Sequence, residues 1–314
     1  MKILLTGASS FSGMWIAEKL AAAGHEVVAP LRSAPAAYDG LRGIRAARVA
    51  AVAEIVPGIS FGDDGFIDLV KGRDFDVLVH HAARVTDYRS LDFDVTGAVA
   101  DNTHRLRQIL EVMSGRGLKA VVATGSVFEN DAGAGNEPRE AFSPYGLSKA
   151  LTYQMIRFWC SRLGIRLGKF MIANPFGPYE EPRFCNYLLK TWVKGDVAGV
   201  NTPRYLRDNI HVDLMALAYT DFVETMASSQ VDRIYGPMGY VETQGAFAER
   251  FAARMRERLG LACGLSLAEQ TDFSEPLARV NTCHIDPAAL GWSESLAWDG
   301  LAAYYREQFG LAAN

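Results

Sequence analysis

The chain has 314 residues, of which 49% are hydrophobic, and its formal net charge at pH 7 is −4. This length suffices for one full hydrophobic core and a second, smaller one. The slightly acidic balance gives no indication of nucleic-acid binding, and no stretch approaches the roughly 20 apolar residues that span a membrane. The four cysteines lie far apart, without a C-x-x-C pair, and the chain opens directly on a strand. We therefore expect a cytoplasmic protein with buried thiols and no signal peptide.

The first thirty residues have the pattern of a β-α-β unit that binds a dinucleotide. Residues 3–5 are a short apolar run, a turn of small residues follows, and apolar positions then recur at helical spacing. Glycines in such a turn let the backbone approach a pyrophosphate, and the helix N-terminus offers unpaired N–H groups and a positive dipole. We expect cofactor contacts from five residues of this turn: Gly7, Ser10, Phe11, Ser12 and Gly13.

The second strand ends without the acidic residue that usually binds the ribose of NAD. Such a residue accepts a hydrogen bond from the 2′-hydroxyl of NAD and repels the 2′-phosphate of NADP. Here the position is Leu31, followed by Arg32 and Ser33. A guanidinium beside a hydroxyl suits a phosphate, so NADP(H) is the favoured cofactor and NAD(H) is the alternative. A solvated Arg32 with no role in cofactor choice is the other interpretation.

Strands and helices alternate as far as about residue 172. This alternation predicts an α/β fold, a doubly wound parallel (Rossmann) sheet with its ligand at the carboxyl ends of the strands. The strands are predicted near residues 2–6, 25–30, 46–52, 76–80, 119–124 and 166–172.

Beyond residue 174, proline, glycine and aromatic residues become denser. Helical stretches near 183–194 and 244–259 predict a smaller mixed C-terminal lobe that binds substrate. We expect the dinucleotide-binding domain to comprise residues 1–173 and about 209–235. The substrate-binding lobe would then comprise about 174–208 and 236–314.

Three residues form a candidate catalytic set. Tyr145 and Lys149 are four residues apart in S-P-Y-G-L-S-K, so on a helix they share one face. A nearby ammonium favours the ionised phenol and lowers its pKa from about 10, which makes Tyr145 a usable general acid or base. Thr124, at the end of a predicted strand, can hydrogen-bond the same substrate oxygen.

Six motifs in the same order resemble the extended short-chain dehydrogenase/reductase family, which comprises nucleotide-sugar epimerases, dehydratases and reductases. The resemblance covers nearly the whole chain. The motifs are T-G-A-S-S-F-S-G at the start, V-L-V-H-H-A-A (77–83), the helix that begins at Asn102, A-N-P-F-G-P (173–178), R-D-N-I-H-V (207–212) and A-L-G-W (289–292).

The resemblance implies further roles for individual residues. Ala82, Ala83 and Ala173 would lie along the cofactor, and Lys149 would also bind the nicotinamide ribose. Asp63 and its neighbour Asp64 would contact the adenine, although a loop-capping role for Asp63 is an equal alternative. The implied substrate contacts come from Asn174 and Arg207. Ser126 is a third candidate, able to hydrogen-bond the sugar, with a small loop residue of no special role as an equal alternative.

The residues after Thr124 bear on the reaction. The family's sugar 4,6-dehydratases carry an Asp–Glu pair there, whereas this chain has Gly125 and Ser126. Without an acid and a base, elimination of water has no proton carriers. We therefore expect an NADPH-dependent reductase of a nucleotide-linked keto sugar, with an NAD(P)-dependent nucleotide-sugar 4-epimerase as the alternative. A small-carbonyl reductase and a non-catalytic dinucleotide sensor are less favoured.

The resemblance also implies a homodimer, formed through helices around 100–115 and 145–162. Arg207 would pair with a substrate diphosphate, or else form a structural ion pair with Asp208 or Asp213. His80 and His81 end a core strand, and we interpret both as packing residues. Because no third ligand has suitable spacing, no metal site is predicted.

Overall fold

The computed structural model describes residues 1–312, and the chain divides into two compact units. The first unit comprises Met1–Ala132, Arg139–Ile172 and Ala216–Gly236. The second comprises Gly133–Pro138, Ala173–Met215 and the described residues from Pro237 onward.

Strands and helices alternate through much of the described chain. The strands are β1 Lys2–Leu5, β2 Glu26–Leu31, β3 Glu54–Pro57, β4 Val77–His80, β5 Ala120–Ser126, β6 Ala134–Gly135, β7 Arg166–Ile172, β8 Asn174–Phe176, β9 Ala198–Val200, β10 Leu206–His211, β11 Arg233–Tyr235, β12 Tyr240–Thr243, β13 Leu265–Leu267 and β14 Ala278–Val280. The helices are α1 Phe11–Ala22, α2 Gly40–Ala50, α3 Asp64–Gly72, α4 Val95–Asn102, α5 Leu106–Gly115, α6 Pro144–Leu163, α7 Phe184–Trp192, α8 Val212–Ser228, α9 Gln244–Leu259 and α10 Glu294–Phe309.

The first unit is built on a seven-stranded parallel sheet with the order β11-β7-β5-β4-β1-β2-β3. The expected doubly wound fold is confirmed. The strand order reverses between β1 and β4, where Leu5 pairs with Val79. In open α/β sheets, ligands bind at the carboxyl ends of the strands beside such a reversal. The residues after β1 and after β4 are therefore neighbours at the place where a ligand is expected.

Apolar residues bury the central strands of the sheet on both faces. Ile3, Leu4 and Leu5 of β1 have no exposed surface. A cluster that includes Leu4, Leu78 and Val121 packs against apolar residues of α3, α5 and α6. Burial on both faces is typical of parallel strands, which read as continuous apolar runs.

The third strand predicted from the sequence, at 46–52, is wrong. Most of that segment belongs to α2, and the strand beside β2 is β3, in which Glu54 pairs with Val28. Four of its seven residues are alanine, the strongest helix former. Ala46 and Val49, three residues apart, form the buried stripe of the helix.

The second unit is mixed, as expected. Its main sheet has the order β12-β10-β14-β6, with β8 also paired to β10, and it contains both parallel and antiparallel pairs. The helices predicted near 183–194 and 244–259 are confirmed as α7 and α9. Together with α10 they enclose an apolar cluster around Phe251 and Trp298. Within residues 1–312, no helix is both long and apolar enough to cross a membrane.

Candidate active site

The turn between β1 and α1 has room only for glycine at two positions. Gly7 has a φ of +74°, and a Cβ on it would lie 2.8 Å from the Ala82 backbone nitrogen. A Cβ on Gly13 would overlap the Gly7 carbonyl oxygen. Ser10 caps α1, because its Oγ accepts a hydrogen bond from the Gly13 N–H at 3.1 Å. This compact turn, at the N-terminus of α1 and beside Ala82, fits the close backbone approach that a dinucleotide pyrophosphate needs.

A second arginine, not identified from the sequence, lies near the end of β2. The Arg42 guanidinium donates to Ser9 Oγ at 3.2 and 3.3 Å and stacks on the Tyr38 ring at 4.8 Å. The Tyr38 hydroxyl in turn accepts the Ser33 N–H at 3.1 Å. Arg32 itself is exposed. Arg42 falls in the segment just before the wrongly predicted strand, so its position on α2, facing the turn, was not anticipated.

Asp63 and Asp64 have local structural partners. The Asp63 carboxylate accepts hydrogen bonds from the backbone N–H groups of Phe66 at 2.8 Å and Ser60 at 2.7 Å, and it caps α3. Asp64 is exposed and forms an ion pair with Arg105 at 2.6 Å. The structure therefore shows the capping geometry that was the alternative for Asp63.

Thr124 and Lys149 line one small cavity in the first unit, together with His80 and Thr152. Thr124 lies near the carboxyl end of β5, and Lys149 lies in α6. Lys149 is buried, and this burial lowers the pKa of its ammonium to about 8.

Tyr145 lies in the first turn of α6, one turn before Lys149. The helix begins there because Ser143 caps it, accepting from Gly146 N–H, and Pro144 occupies the first helical position. The Tyr145 ring is half-buried. Its centroid lies 5.6 Å from that of the Tyr88 ring and 5.9 Å from that of the Phe93 ring, both in T-shaped arrangements. Two aromatic residues of the segment before α4 thus pack against the phenol ring.

The segment after Thr124 is shaped by a buried ion pair. Glu129 has no exposed surface, and its carboxylate accepts from the Lys169 ammonium at 2.5 Å and from the Ser126 N–H at 2.8 Å. A Cβ on Gly125 would lie 2.6 Å from the Lys169 side chain. Ser126 Oγ accepts the Phe128 N–H at 3.2 Å. Because the Lys169 side chain fills the space beside Gly125, an aspartate does not fit at position 125.

His81 is not merely a packing residue, contrary to the expectation from the sequence. Its Nδ1 lies 2.9 Å from Thr124 Oγ1, and its Nε2 lies 3.2 Å from Ser10 Oγ and 3.1 Å from Ser12 Oγ. Thr124 Oγ1 also lies 2.7 Å from the hydroxyl of Tyr219, a fully buried residue of α8. Tyr219 was not anticipated, since nothing in the sequence of α8 places its hydroxyl beside β5.

His80, the last residue of β4, and His81, which follows it, are both neutral near pH 7. Burial, aided by the Lys149 ammonium, lowers the pKa of His80 to about 4 and that of His81 to about 3. The His80 Nε2 lies 2.9 Å from the Asn102 carbonyl oxygen. The Asn102 amide donates to Thr152 Oγ1 at 3.3 Å. This arrangement ties the end of β4 to α4 and α6.

The expected substrate-binding residues Asn174 and Arg207 lie in the second unit, on the paired strands β8 and β10. The Asn174 amide donates to the Asp208 carbonyl oxygen at 3.1 Å. The Arg207 guanidinium forms an ion pair with Glu275 at 2.8 Å and lies over the Tyr205 ring at 4.4 Å. Ala173, expected along the cofactor, is buried at the start of the second segment of this unit.

The acidic neighbours of Arg207 were the ion-pair partners considered from the sequence, but the partner in the structure, Glu275, is 68 residues away. Asp208 accepts backbone hydrogen bonds from Gly239 N–H at 2.7 Å and Asn281 N–H at 3.3 Å. Burial raises the pKa of its carboxyl to about 6. Asp208 thus ties three segments of the second unit together.

No group of three or more histidine, cysteine, aspartate or glutamate residues within residues 1–312 is arranged to hold a metal ion.

Comparisons with known proteins identify a matching family and similar relatives. Residues 3–236 match the sequence profile of the NAD dependent epimerase/dehydratase family. A Methanocaldococcus jannaschii protein described as a putative UDP-glucose 4-epimerase is 23% identical over 257 residues, 73% of this chain and 77% of that protein.

Solved structures resemble nearly the whole chain. A variant of UDP-glucuronic acid 4-epimerase from Bacillus cereus, with a fluorinated UDP-sugar and NAD, has a TM-score of 0.75 at 17% identity, covering 98% of this chain and 100% of that one. A dTDP-glucose 4,6-dehydratase from Streptomyces venezuelae, with NAD, has a TM-score of 0.71 at 20% identity, covering 99% and 98%. At these identities, the likeness establishes the fold.

Proposed function

Because this chain belongs to the NAD dependent epimerase/dehydratase family, we propose that it is a nucleotide-sugar 4-epimerase that uses a nicotinamide cofactor. The observation that carries this proposal is the environment of Thr124. The hydroxyl and the buried Lys149 line one cavity, and Tyr145 lies one turn before that lysine. Positions 125 and 126 are glycine and serine, so neither carries a carboxylate that could exchange a proton with the substrate. The set is equipped for hydride transfer rather than for elimination.

The proposed chemistry divides among three residues. Tyr145 removes the proton of the sugar C4 hydroxyl and later returns it, acting as general base and then general acid. Lys149, when charged, favours the ionised form of that phenol. Thr124 donates a hydrogen bond to the same oxygen, where charge develops. A bound nicotinamide supplies the hydride acceptor and donor.

The buried ion pair argues against a dehydratase. Glu129 is the acidic residue nearest in sequence after Thr124, but its carboxylate is fully buried and bound by Lys169 and Ser126. A carboxylate held in this way is not free to exchange a proton with a sugar. The lack of space at Gly125 also excludes an acid at one of the two positions where the dehydratases carry one.

A keto-sugar reductase that consumes NADPH is the second candidate, and the surroundings of β2 favour it. Arg32 and Ser33 stand where an NAD enzyme usually has an acid. Arg42, stacked on Tyr38 and bonded to Ser9, adds a second guanidinium beside the β1–α1 turn. Two guanidinium groups and a hydroxyl suit a 2′-phosphate. The same catalytic residues would then protonate the substrate oxygen once, with no return step.

We propose a nucleotide-linked sugar as the substrate because of Arg207. It lies on β10, and its guanidinium is tethered by Glu275 and by the carbonyl groups of Leu206 and Pro276. A guanidinium whose orientation is fixed in advance loses little entropy when it binds a phosphate. Asn174, on the adjacent strand β8, is the second proposed contact.

A homodimer through α6 is a further part of the proposal. Four apolar residues of that helix are exposed at spacings of four, four and three, which places them on one stripe: Leu147, Leu151, Met155 and Phe158. An apolar stripe on a surface helix indicates a partner. Light scattering after chromatography should give twice the chain mass, and Phe158→Glu should shift the protein to the monomer.

A cytoplasmic location is also proposed. All four cysteines carry free thiols, and three of them are buried. Free thiols are typical of a reducing compartment.

The experiment that tests the function measures how much cofactor each turnover requires. The purified protein is denatured, any released nicotinamide nucleotide is identified, and the emptied protein is titrated with NADH and NADPH. UDP- and dTDP-linked hexoses are then supplied with cofactor far below substrate concentration. Many turnovers per cofactor, giving the C4 epimer, support the epimerase. Oxidation of one NADPH per product would instead establish the reductase.

A further inference from the structure

His81 is a buried imidazole whose two nitrogens both lie within hydrogen-bond distance of hydroxyl groups. Nδ1 meets Thr124 at 2.9 Å, and Nε2 meets Ser10 and Ser12 at 3.2 and 3.1 Å. The Tyr219 hydroxyl, 2.7 Å from Thr124, completes the chain. One side chain thus joins the β1–α1 turn, which we assign to the pyrophosphate, to the hydroxyl that we assign to the substrate oxygen.

The neutral imidazole of His81 has two possible tautomers. The ring is neutral near pH 7, because burial and the Lys149 ammonium hold its pKa at about 3, so it has one N–H donor and one acceptor. If Nε2 carries the proton, Nδ1 accepts the Thr124 proton, and none is left for the substrate. If Nδ1 carries the proton, it donates to Thr124, and Nε2 accepts from a serine hydroxyl.

The surroundings favour the Nδ1–H form. Ser10 Oγ already accepts the Gly13 N–H at 3.1 Å, so its own proton is available for donation, and Nε2 is an acceptor within reach at 3.2 Å. The Tyr219 phenol is fully buried, with Thr124 Oγ1 as its hydrogen-bond partner, and donation satisfies its proton. The donations from His81 and Tyr219 together fill both lone pairs of Thr124 Oγ1. The only proton of that hydroxyl then points away from both.

We propose that His81 is a positioning residue. Held as the Nδ1–H tautomer by the serine hydroxyls of the β1–α1 turn, it fixes the Thr124 hydroxyl as a donor to the substrate oxygen. The proposal rests on the proposed function, because it takes Thr124 to donate to substrate. It adds that the cofactor-binding turn sets the proton position of a catalytic hydroxyl through one side chain.

Nitrogen-15 NMR of the protein with labelled histidine tests the tautomer without any substrate. The His81 signals are assigned by their loss in His81→Asn. We expect the Nδ1 resonance in the range of a protonated ring nitrogen and the Nε2 resonance in the range of an unprotonated one. The reverse pattern would overturn the proposal whether or not the enzyme is an epimerase.

A double-mutant cycle tests the action through Thr124. We expect Thr124→Val to lower kcat by about 100-fold, as loss of a donor to developing charge does, and His81→Leu to lower it by about 10-fold with a smaller change in KM. In the Thr124→Val background, His81→Leu should add nothing. His81→Asn, which keeps an N–H near the Nδ1 position, should recover part of the loss.

The matched control is His80→Leu, since His80 is also buried but bonds a backbone carbonyl. Its effect, whatever its size, should add to that of Thr124→Val. Additive losses for His81→Leu, or an unchanged kcat, would overturn the proposal. Unchanged turnover in Thr124→Val would contradict the proposed function itself, an outcome that the NMR measurement separates from a wrong tautomer.

Discussion

The Lys169 ammonium and the Glu129 carboxylate form an ion pair at 2.5 Å in the interior of the first unit. Glu129 has no exposed surface, and the ammonium also lies 4.3 Å from the centre of the Tyr153 ring. The pair occupies the space beside Gly125, so it shapes the segment that follows Thr124. It therefore fixes the shape of this segment and withholds the carboxylate from proton transfer.

Removal of one partner of this pair should destabilise the protein strongly. Lys169→Met leaves the Glu129 carboxylate buried and uncompensated, which should lower the free energy of unfolding by about 3–5 kcal/mol. Urea unfolding at neutral pH measures this loss. The double variant Lys169→Met/Glu129→Gln removes both charges and should regain a substantial part. A double variant no more stable than Lys169→Met would contradict the charge-based explanation.

Tyr145→Phe should nearly abolish turnover. The phenol oxygen is the proposed proton carrier, and such groups contribute about 100-fold or more to the rate. Cofactor affinity should stay within a few-fold. Tyr304→Phe is the control, because Tyr304 lies in α10 of the second unit, against Tyr179 and Tyr305. Similar losses in both variants would remove Tyr145 from the mechanism.

The pH dependence of turnover should show the titration of Lys149. Burial lowers its pKa from 10.5 to about 8, so the ammonium is lost as the pH rises through about 8, and kcat should fall there. The stability effect has the opposite sign. Between about 8 and 10.5 the unfolded chain binds more protons than the folded one, so this group makes the protein more stable as pH rises.

Lys149→Arg separates these effects, because a guanidinium stays protonated across the whole range. Its kcat should be lower at every pH but should lack the decline above about 8. Rates measured across the neutral and alkaline range, with thermal unfolding at each pH, provide the comparison. An alkaline decline of the same shape in Lys149→Arg would assign it to another group.

Arg32→Ala and Arg42→Ala should weaken NADPH binding selectively. A lost hydrogen bond to a charged group costs about 1.5–3 kcal/mol, or about 10- to 100-fold in affinity. NADH affinity should change less than about 3-fold. Fluorescence titration of both cofactors measures the ratio. Arg48→Ala is the control, since Arg48 lies on α2 but pairs with Glu18 at 2.8 Å. Equal losses for the two cofactors would mean that neither arginine reads the 2′-phosphate.

Local patterns were sufficient to predict the sheet and much of the helical structure. Apolar runs such as Ile3–Leu5 are buried on both faces, and the turn glycines were recognisable because both lie where a Cβ cannot fit. The third strand was missed because alanine, valine and arginine at 46–50 also satisfy a helical pattern. Whether that apolar content forms a helix or a strand is decided by tertiary packing.

The hydrogen-bond partners of the site could not be predicted. Tyr219 is 95 residues from Thr124, and Glu275 is 68 residues from Arg207. No periodicity relates such pairs; the topology of the sheets brings them together. His81 was interpreted as a packing residue because it ends a core strand and no third metal ligand has suitable spacing. Two of its hydroxyl contacts come from Ser10 and Ser12, which follow a different strand.

The central claim is that hydride leaves C4 of the sugar and returns to the same carbon. UDP- and dTDP-hexoses that carry deuterium at C4 test it most directly, with the product examined by NMR and mass spectrometry. We predict a C4 epimer that keeps its deuterium at C4, with no net accumulation of reduced cofactor. A product that has lost the label to the medium, or no epimer from any hexose of the set, would contradict the account.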